Sequence, residues 1–100
     1  MSIILYQLSR QQCMPCQVLK SKIDKLETKD FEYKYIDVDH NIIPGSTEDQ
    51  ILKEARTQGL RSLPILGLSL FEDNVEDLVA VGHIRYEQLD GFLDIIRKKE

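Results

Sequence analysis

Two cysteines lie near the start of the chain, in the segment Gln12-Cys13-Met14-Pro15-Cys16-Gln17. They are the only cysteines in 100 residues. The thiolate is the form of cysteine that attacks a disulfide, and a Cys-x-x-Cys pair between a strand and a helix is typical of thiol–disulfide exchange. The spacing brings both sulfur atoms within reach of one S–S bond. We therefore expect Cys13 and Cys16 to form a redox pair.

The place of each cysteine relative to the following helix predicts a division of roles. Cys13 precedes the helix, so unpaired backbone N–H groups and the positive end of the helix dipole should lie near its sulfur. Arg10 is a candidate for a further positive charge. Cys16 is one turn further in and should be more buried and less acidic. We expect Cys13 to attack the target disulfide and Cys16 to resolve the mixed disulfide.

A strand and a helix must position this pair. Residues 2–8 are short, β-rich and nearly all apolar, which predicts a buried central parallel strand. A helix should begin between Cys13 and Pro15, since proline is tolerated in a first turn. Apolar residues then recur on one helical face: Cys16, Leu19, Ile23 and Leu26.

The rest of the chain predicts a mixed sheet with two more helices. Ser46 followed by Asp49 resembles a capping box, and Gly59 suits a helix end. The expected elements are a strand at 31–39, a helix from 47 to about 58, a strand opened by Leu63, a strand at 77–81 after a turn at 72–74, and a helix from about 85 to 99. The third and fourth strands should form an antiparallel hairpin. The fold class is α/β, a four-stranded mixed sheet flanked by three helices in the order β-α-β-α-β-β-α.

Composition limits the classes of function. The length predicts one domain over residues 1–100, and 42% hydrophobic with 30% charged residues is ordinary for a soluble globular protein. The net charge of -4 argues against nucleic-acid binding, which needs a basic stripe. No apolar stretch approaches the roughly 20 residues of a membrane span, and no signal peptide is evident. We expect a cytoplasmic protein without nucleic-acid or membrane partners.

Cys-x-x-Cys also occurs in zinc sites, which need about four protein ligands or three plus water. Only His40 and His83 remain as good candidates, and neither lies in a second paired motif. Two inert cysteines at a helix start are a further alternative. We favour the redox role and expect no metal site. His83 could act on the thiols, but we favour the interpretation that it is a polar residue near the helix without such a role.

These residues resemble the thioredoxin-fold oxidoreductases over essentially the whole chain, in particular glutaredoxins and glutaredoxin-like small thioredoxins. The segment from Ile4 to Cys16, with a basic residue three before the first cysteine, is similar to a glutaredoxin opening. Residues 31–38 resemble the second strand of the family, and Ser62-Leu63-Pro64 resembles its cis-proline loop. The resemblance implies a thioredoxin-like fold.

The resemblance also implies roles for single residues. Cys13 would be the nucleophile and Cys16 the resolving thiol. Pro64 would be cis and face the disulfide, and the backbone of Leu63 would pair with an extended substrate segment. Arg10 and Gly82 are the remaining substrate-binding or glutathione-binding positions.

The chain departs from both parent groups. Thioredoxins usually have Trp-Cys-Gly-Pro-Cys, where this chain has Gln12 in place of the tryptophan and Met14 in place of the glycine. They also carry a buried aspartate six residues before the first cysteine, where this chain has Gln7. Glutaredoxins typically have Cys-Pro-Tyr-Cys and a Gly-Gly pair, which is reduced here to Val81-Gly82-His83. The reductant is therefore open between glutathione and an NADPH-dependent thioredoxin reductase.

The activity implied is that of a thiol–disulfide oxidoreductase that reduces protein disulfides. It would be a monomer with no bound cofactor beyond its own dithiol. Similar small redoxins donate electrons to ribonucleotide reductase, which is a candidate target at the level of the family. Two alternatives come from other classes: a non-catalytic adaptor of the same fold, and an iron–sulfur carrier made by two chains that share glutathione. The intact cysteine pair argues against the adaptor, and iron–sulfur glutaredoxins generally favour other active-site sequences.

Overall fold

The computed structural model describes residues 3–70 and 77–97. The elements in chain order are β1 (Ile3–Ser9), α1 (Met14–Asp24), β2 (Phe31–Asp37), α2 (Thr47–Thr57), β3 (Ile65–Ser69), β4 (Leu78–Gly82) and α3 (Leu89–Arg97), with a 3-10 turn at Tyr86–Gln88 before α3. The expected order of strands and helices is confirmed for the described residues. None of the helices in these two ranges is long and apolar enough to cross a membrane.

The sheet has the strand order β2-β1-β3-β4. β1 runs parallel to β2 and antiparallel to β3, and β3 runs antiparallel to β4. The expected mixed sheet and the antiparallel pairing of the last two strands are confirmed. β1 is central, as expected, but only one of its two neighbours is parallel. All seven of its residues are buried, which explains why its sequence is almost continuously apolar.

Side chains on the two faces of β1 belong to two different cores, because successive residues of a strand point to opposite faces. On one face, Ile3 and Leu5 pack with apolar residues of α1 and α3. On the other face, Ile4, Tyr6 and Leu8 pack with Ile51 and Ala55 of α2. The sheet is thus covered by helices on both sides, and β1 anchors both layers.

The ends of the helices follow from local hydrogen bonds. The N–H of Asp49 donates to Oγ of Ser46 at 3.3 Å, so Ser46 caps α2 as expected. The second bond of a capping box is replaced, since the Asp49 carboxylate accepts from the N–H of Gly45 at 3.0 Å. After α2, Gly59 adopts a φ of 77°, a left-handed conformation that glycine adopts without strain. α1 ends at Asp24, so Leu26, expected on its apolar face, lies beyond the helix and is only partly buried.

The last helix differs from its expected bounds. Its start was expected near Arg85, but the first turn is 3-10 and α3 begins at Leu89. The expected apolar stripe is confirmed, since four residues of α3 are buried: Leu89, Phe92, Leu93 and Ile96. The guanidinium of Arg97 pairs with the carboxylate of Asp30, with Nε 2.6 Å from Oδ2. The expected turn at 72–74 and the last residues of the expected helix lie outside the described residues.

Gly67 of β3 lies directly against α2, and this contact generates a prediction. A Cβ atom at Gly67 would lie 2.5 Å from Cδ1 and 2.7 Å from Cγ1 of Ile51, which is fully buried. We expect Gly67→Ala to lower the free energy of unfolding by about 1–3 kcal/mol, as over-packed cores do. Urea denaturation would measure the change.

Gly91 is the matched control, because a Cβ at this position in α3 meets no atom within 4 Å. Gly91→Ala should stabilise the protein by about 0.5–1 kcal/mol, since glycine is a poor helix former. Adding Ile51→Val to Gly67→Ala should recover part of the loss. Equal stability of the two single alanine variants would contradict the close packing of β3 against α2.

Candidate redox site

The two cysteines lie where the chain leaves β1 and enters α1. Cys13 is the N-cap residue of α1, with an extended backbone, and its Sγ accepts a hydrogen bond from the N–H of Cys16 at 3.2 Å. The two cysteines form a disulfide, with their Cα atoms 5.2 Å apart. Cys16 is completely buried, whereas Cys13 is partly exposed. The expected difference in exposure is confirmed.

Local hydrogen bonds hold Cys13 at the end of the helix. Its N–H donates to the carbonyl of Arg10 at 3.2 Å, which forms a turn after β1. Its carbonyl accepts from the N–H of Gln17 at 3.1 Å, the first bond of α1. Pro15 lies in the first turn, where its missing N–H costs no helical bond. The Cys13 sulfur therefore lies at the positive end of α1.

Gln7 ties the central strand to the helix that carries Cys16. Its side chain is fully buried, and Nε2 donates to the carbonyl of Cys16 at 2.9 Å and to Oγ of Ser9 at 3.1 Å. Oε1 accepts a hydrogen bond from the hydroxyl of Tyr33 on β2. One neutral amide thus connects β1, β2 and the first turn of α1. Sequence reasoning treated Gln7 only as a departure from the thioredoxin pattern. The available signal was a polar side chain inside an otherwise apolar strand.

A groove of about 380 Å³ opens beside the two residues that separate the cysteines. Its lining comes from three segments: Met14, Pro15, Val18, Leu19 and Lys22 of α1, Pro64 before β3, and residues 83–87 after β4. Met14 and Val18 are exposed by 68% and 46%, which makes the α1 side of the groove apolar and accessible. Because distant parts of the sequence meet here, the groove could not be derived from spacing alone.

The loop before β3 contributes Leu63 and Pro64, and the peptide bond between them is cis, as expected. Pro64 is buried and lines the groove. The side chain of Leu63 packs against the core beside α2. Within residues 3–70 and 77–97, the backbone of Leu63 makes no hydrogen bond to another backbone group. Its polar backbone atoms are thus available for an external partner.

His83 is the polar side chain that contacts this loop. Its Nδ1 lies 2.8 Å from the carbonyl oxygen of Pro64, and the residue also lines the groove. Gly82, one residue earlier, is the last residue of β4 and pairs with Leu66, and it is not part of the groove lining. The strand expected at 77–81 thus runs one residue further, to Gly82. The side chain that contacts the Pro64 loop belongs to the next residue, and a binding role for Gly82 stays a prediction.

Arg10 lies apart from the groove lining. Its Nε is 3.3 Å from Oδ1 of Asp39, in an exposed ion pair. The role of Arg10 in binding a substrate or a thiolate stays a prediction. Among residues 3–70 and 77–97, no group of three or more His, Cys, Asp or Glu side chains could hold a metal ion.

Known structures share this arrangement of strands and helices. A mutant thioredoxin from Halobacterium salinarum superposes with a TM-score of 0.59 at 24% identity, over 97% of this chain and 74% of that one. A chain of the complex between ferredoxin:thioredoxin reductase and thioredoxin f2 gives a TM-score of 0.64 at 20% identity, over 96% of this chain and 78% of that one. The chain has the thioredoxin fold.

A third thioredoxin-fold structure, the thioredoxin of Fasciola hepatica, agrees with a TM-score of 0.59 at 16% identity, over 93% of this chain and 80% of that one. No protein-family model and no curated protein matches the sequence. The thioredoxin fold is therefore established by structure, while activity must be argued from the site.

The buried phenol of Tyr33, which donates to Gln7, should make the protein less stable at alkaline pH. Burial raises the pKa of the Tyr33 phenol well above its usual value, and the carboxylate of Asp24 adds to the rise. Unfolded tyrosine loses its proton near pH 10. Above about pH 10, the unfolded chain therefore loses a proton that the folded chain keeps, so the free energy of unfolding should fall.

We expect this fall to be smaller in Tyr33→Phe than in the wild type. Tyr86→Phe, which removes a phenol on the rim of the groove, serves as the control and should keep the wild-type slope. Urea denaturation of the oxidised protein between about pH 8 and pH 11 would measure the slopes. The same slope in all three proteins would contradict a role for the buried phenol.

Proposed function

We propose that this chain is a thiol–disulfide oxidoreductase that reduces disulfides of proteins through Cys13 and Cys16. The observation that carries the proposal is the asymmetry of the pair. Cys13 is partly exposed and its sulfur accepts a helix N–H, whereas Cys16 is completely buried. A hydrogen-bond donor and a helix N-terminus both favour the thiolate over the thiol. The accessible sulfur is thus the one whose surroundings favour attack.

The reaction proceeds by two exchanges. The Cys13 thiolate of the reduced protein attacks one sulfur of the target disulfide, which forms a mixed disulfide and releases the other target sulfur as a thiolate. Cys16 then loses its proton and attacks Sγ of Cys13. This second step forms the Cys13–Cys16 disulfide and releases the second target thiolate. The target has gained two electrons, and the pair has been oxidised.

Two features support a polypeptide substrate. The unpaired backbone of Leu63 is suited to strand addition by an extended segment. Next to it, the exposed side chains of Met14 and Val18 give the groove an apolar wall. A substrate segment paired with Leu63 would place its disulfide beside the residues that separate the two cysteines. Ribonucleotide reductase is one protein of this kind to assay.

The reductant that we propose is an NADPH-dependent thioredoxin reductase. Arg10, the candidate contact for glutathione, already pairs with Asp39. The fold neighbour that was solved with ferredoxin:thioredoxin reductase supports a partner protein as reductant. A reducing compartment such as the cytoplasm would keep the pair reduced between turnovers.

The roles of the two cysteines generate a prediction. With insulin as substrate, Cys16→Ser should accumulate a mixed disulfide, because the nucleophile remains and the resolving thiol is missing. Cys13→Ser should form no mixed disulfide and reduce no insulin. Non-reducing electrophoresis and mass spectrometry would detect the adduct. Trapping by Cys13→Ser in place of Cys16→Ser would reverse the assignment, and trapping by neither would favour the adaptor.

The reductant generates a separate prediction. The oxidised protein is mixed with insulin and NADPH, together with either thioredoxin reductase or glutathione and glutathione reductase. We expect NADPH consumption with thioredoxin reductase and only the background rate with glutathione. Arg10→Ala serves as the matched variant, and its rate with thioredoxin reductase should stay within about twofold, because exposed ion pairs contribute little. Turnover with glutathione and glutathione reductase, but not with thioredoxin reductase, would contradict this choice. If Arg10→Ala also lost that turnover, the activity would be that of a glutaredoxin.

A further inference from the structure

The side chain of His83 connects the end of β4 to the loop before β3. Its Nδ1 lies 2.8 Å from the carbonyl oxygen of Pro64. A carbonyl oxygen only accepts hydrogen bonds, so Nδ1 carries the hydrogen of this bond. When the imidazole is neutral, Nε2 is then its acceptor nitrogen.

The register of the two strands explains why a side chain makes this bond. Leu66 pairs with Gly82, so the same register would place residue 84 opposite Pro64. β4 ends at Gly82, however, and the ladder does not reach that position. The backbone of β4 therefore offers no ladder partner to Pro64. The imidazole of His83 supplies a donor in its place.

Pro64 depends on this bond more than another residue would. Proline has no N–H, so its carbonyl is the only hydrogen-bonding group of its backbone. The residue is buried, and a buried carbonyl without a partner is destabilising. Within residues 3–70 and 77–97, the bond from His83 is the hydrogen bond that the structure records for this carbonyl. His83 thus anchors the loop on its polar side.

We infer that His83 is a positioning residue for polypeptide substrates. Through the carbonyl of Pro64, it holds the adjacent backbone of Leu63 in the place where an extended substrate segment pairs. The inference rests on the proposed function. A loop that shifts by a fraction of an ångström presents the substrate disulfide to Cys13 in a poorer geometry, and exchange rates are sensitive to such shifts. A small disulfide that makes no backbone pairing does not need the loop.

This dependence on the substrate separates positioning from proton transfer. If Nε2 of His83 moved a proton to or from the reacting sulfurs, its loss would slow exchange with every disulfide. If His83 only places the loop, its loss slows exchange with a polypeptide and leaves exchange with a small disulfide unchanged. Asparagine at position 83 keeps a donor at about the distance of Nδ1 from Cβ but has no imidazole, so it should restore positioning alone.

The experiment compares three variants with the wild type. These are His83→Ala, His83→Asn and the control His40→Ala, which removes the other histidine of the chain, paired with Asp37 away from the groove. Each protein is reduced with dithiothreitol, freed of it by gel filtration, and mixed with insulin or with dithiobis(nitrobenzoate). Second-order rate constants of thiol oxidation are measured. No reductase takes part, so the choice of reductant does not affect the result.

We expect His83→Ala to react about 3- to 10-fold more slowly with insulin, which is the range that one lost hydrogen bond gives. Its rate with dithiobis(nitrobenzoate) should stay within about twofold of the wild type. His83→Asn and His40→Ala should keep both rates. A similar loss on both substrates, no loss on insulin, or failure of His83→Asn to recover the insulin rate would each overturn the positioning role.

A spectroscopic readout tests the anchor apart from activity. The amide of Ile65 is bonded to the Pro64 carbonyl, so its ¹H–¹⁵N signal in the oxidised protein reports on the bond from His83. We expect this signal to move in His83→Ala and to return towards its wild-type position in His83→Asn. A wild-type protein that reduces neither disulfide would refute the proposed function. In that case, an Ile65 signal unchanged in His83→Ala would also overturn the anchoring of the loop by His83. A signal that moves in His83→Ala and returns in His83→Asn would support the anchoring.

Discussion

Complete burial of β1 is the constraint on which the site depends. The strand is covered by helices on both faces and has a partner strand on each side, so its end at Ser9 is fixed in space. The chain then needs only a short turn before Cys13 caps α1. Because the strand is fixed, the first turn of α1 is fixed as well, through the bond from Gln7 to the carbonyl of Cys16. The cysteine pair is thus placed by the core and not by the loop that contains it.

The groove forms because two other segments end their regular structure at the same edge. β3 begins only after Pro64, and β4 stops at Gly82. Both chain segments therefore present irregular backbone beside the start of α1. Irregular backbone has polar groups without ladder partners, which suits a surface that binds another chain by its main-chain atoms.

Much of this arrangement could be predicted from the sequence, because the signals are local. Helical spacing identified the buried face of α1, and the Ser46 cap identified the start of α2. The signals failed where a distant partner decides. Leu26 continues the apolar spacing, yet the helix ends before it. The partner of Arg10 is Asp39, which follows β2, the strand that pairs with β1. Charge alone does not reveal that pairing.

Gln7 and Tyr33 have a consequence for how the site responds to pH. Neither group changes its charge below about pH 10, since an amide does not titrate and burial raises the pKa of the phenol. These two groups, which lie behind Cys16, therefore stay uncharged over that interval. Any dependence of the thiol chemistry on acidity must then arise at groups other than Gln7 and Tyr33. The fold thus places an uncharged, hydrogen-bonded pair of side chains behind the buried sulfur.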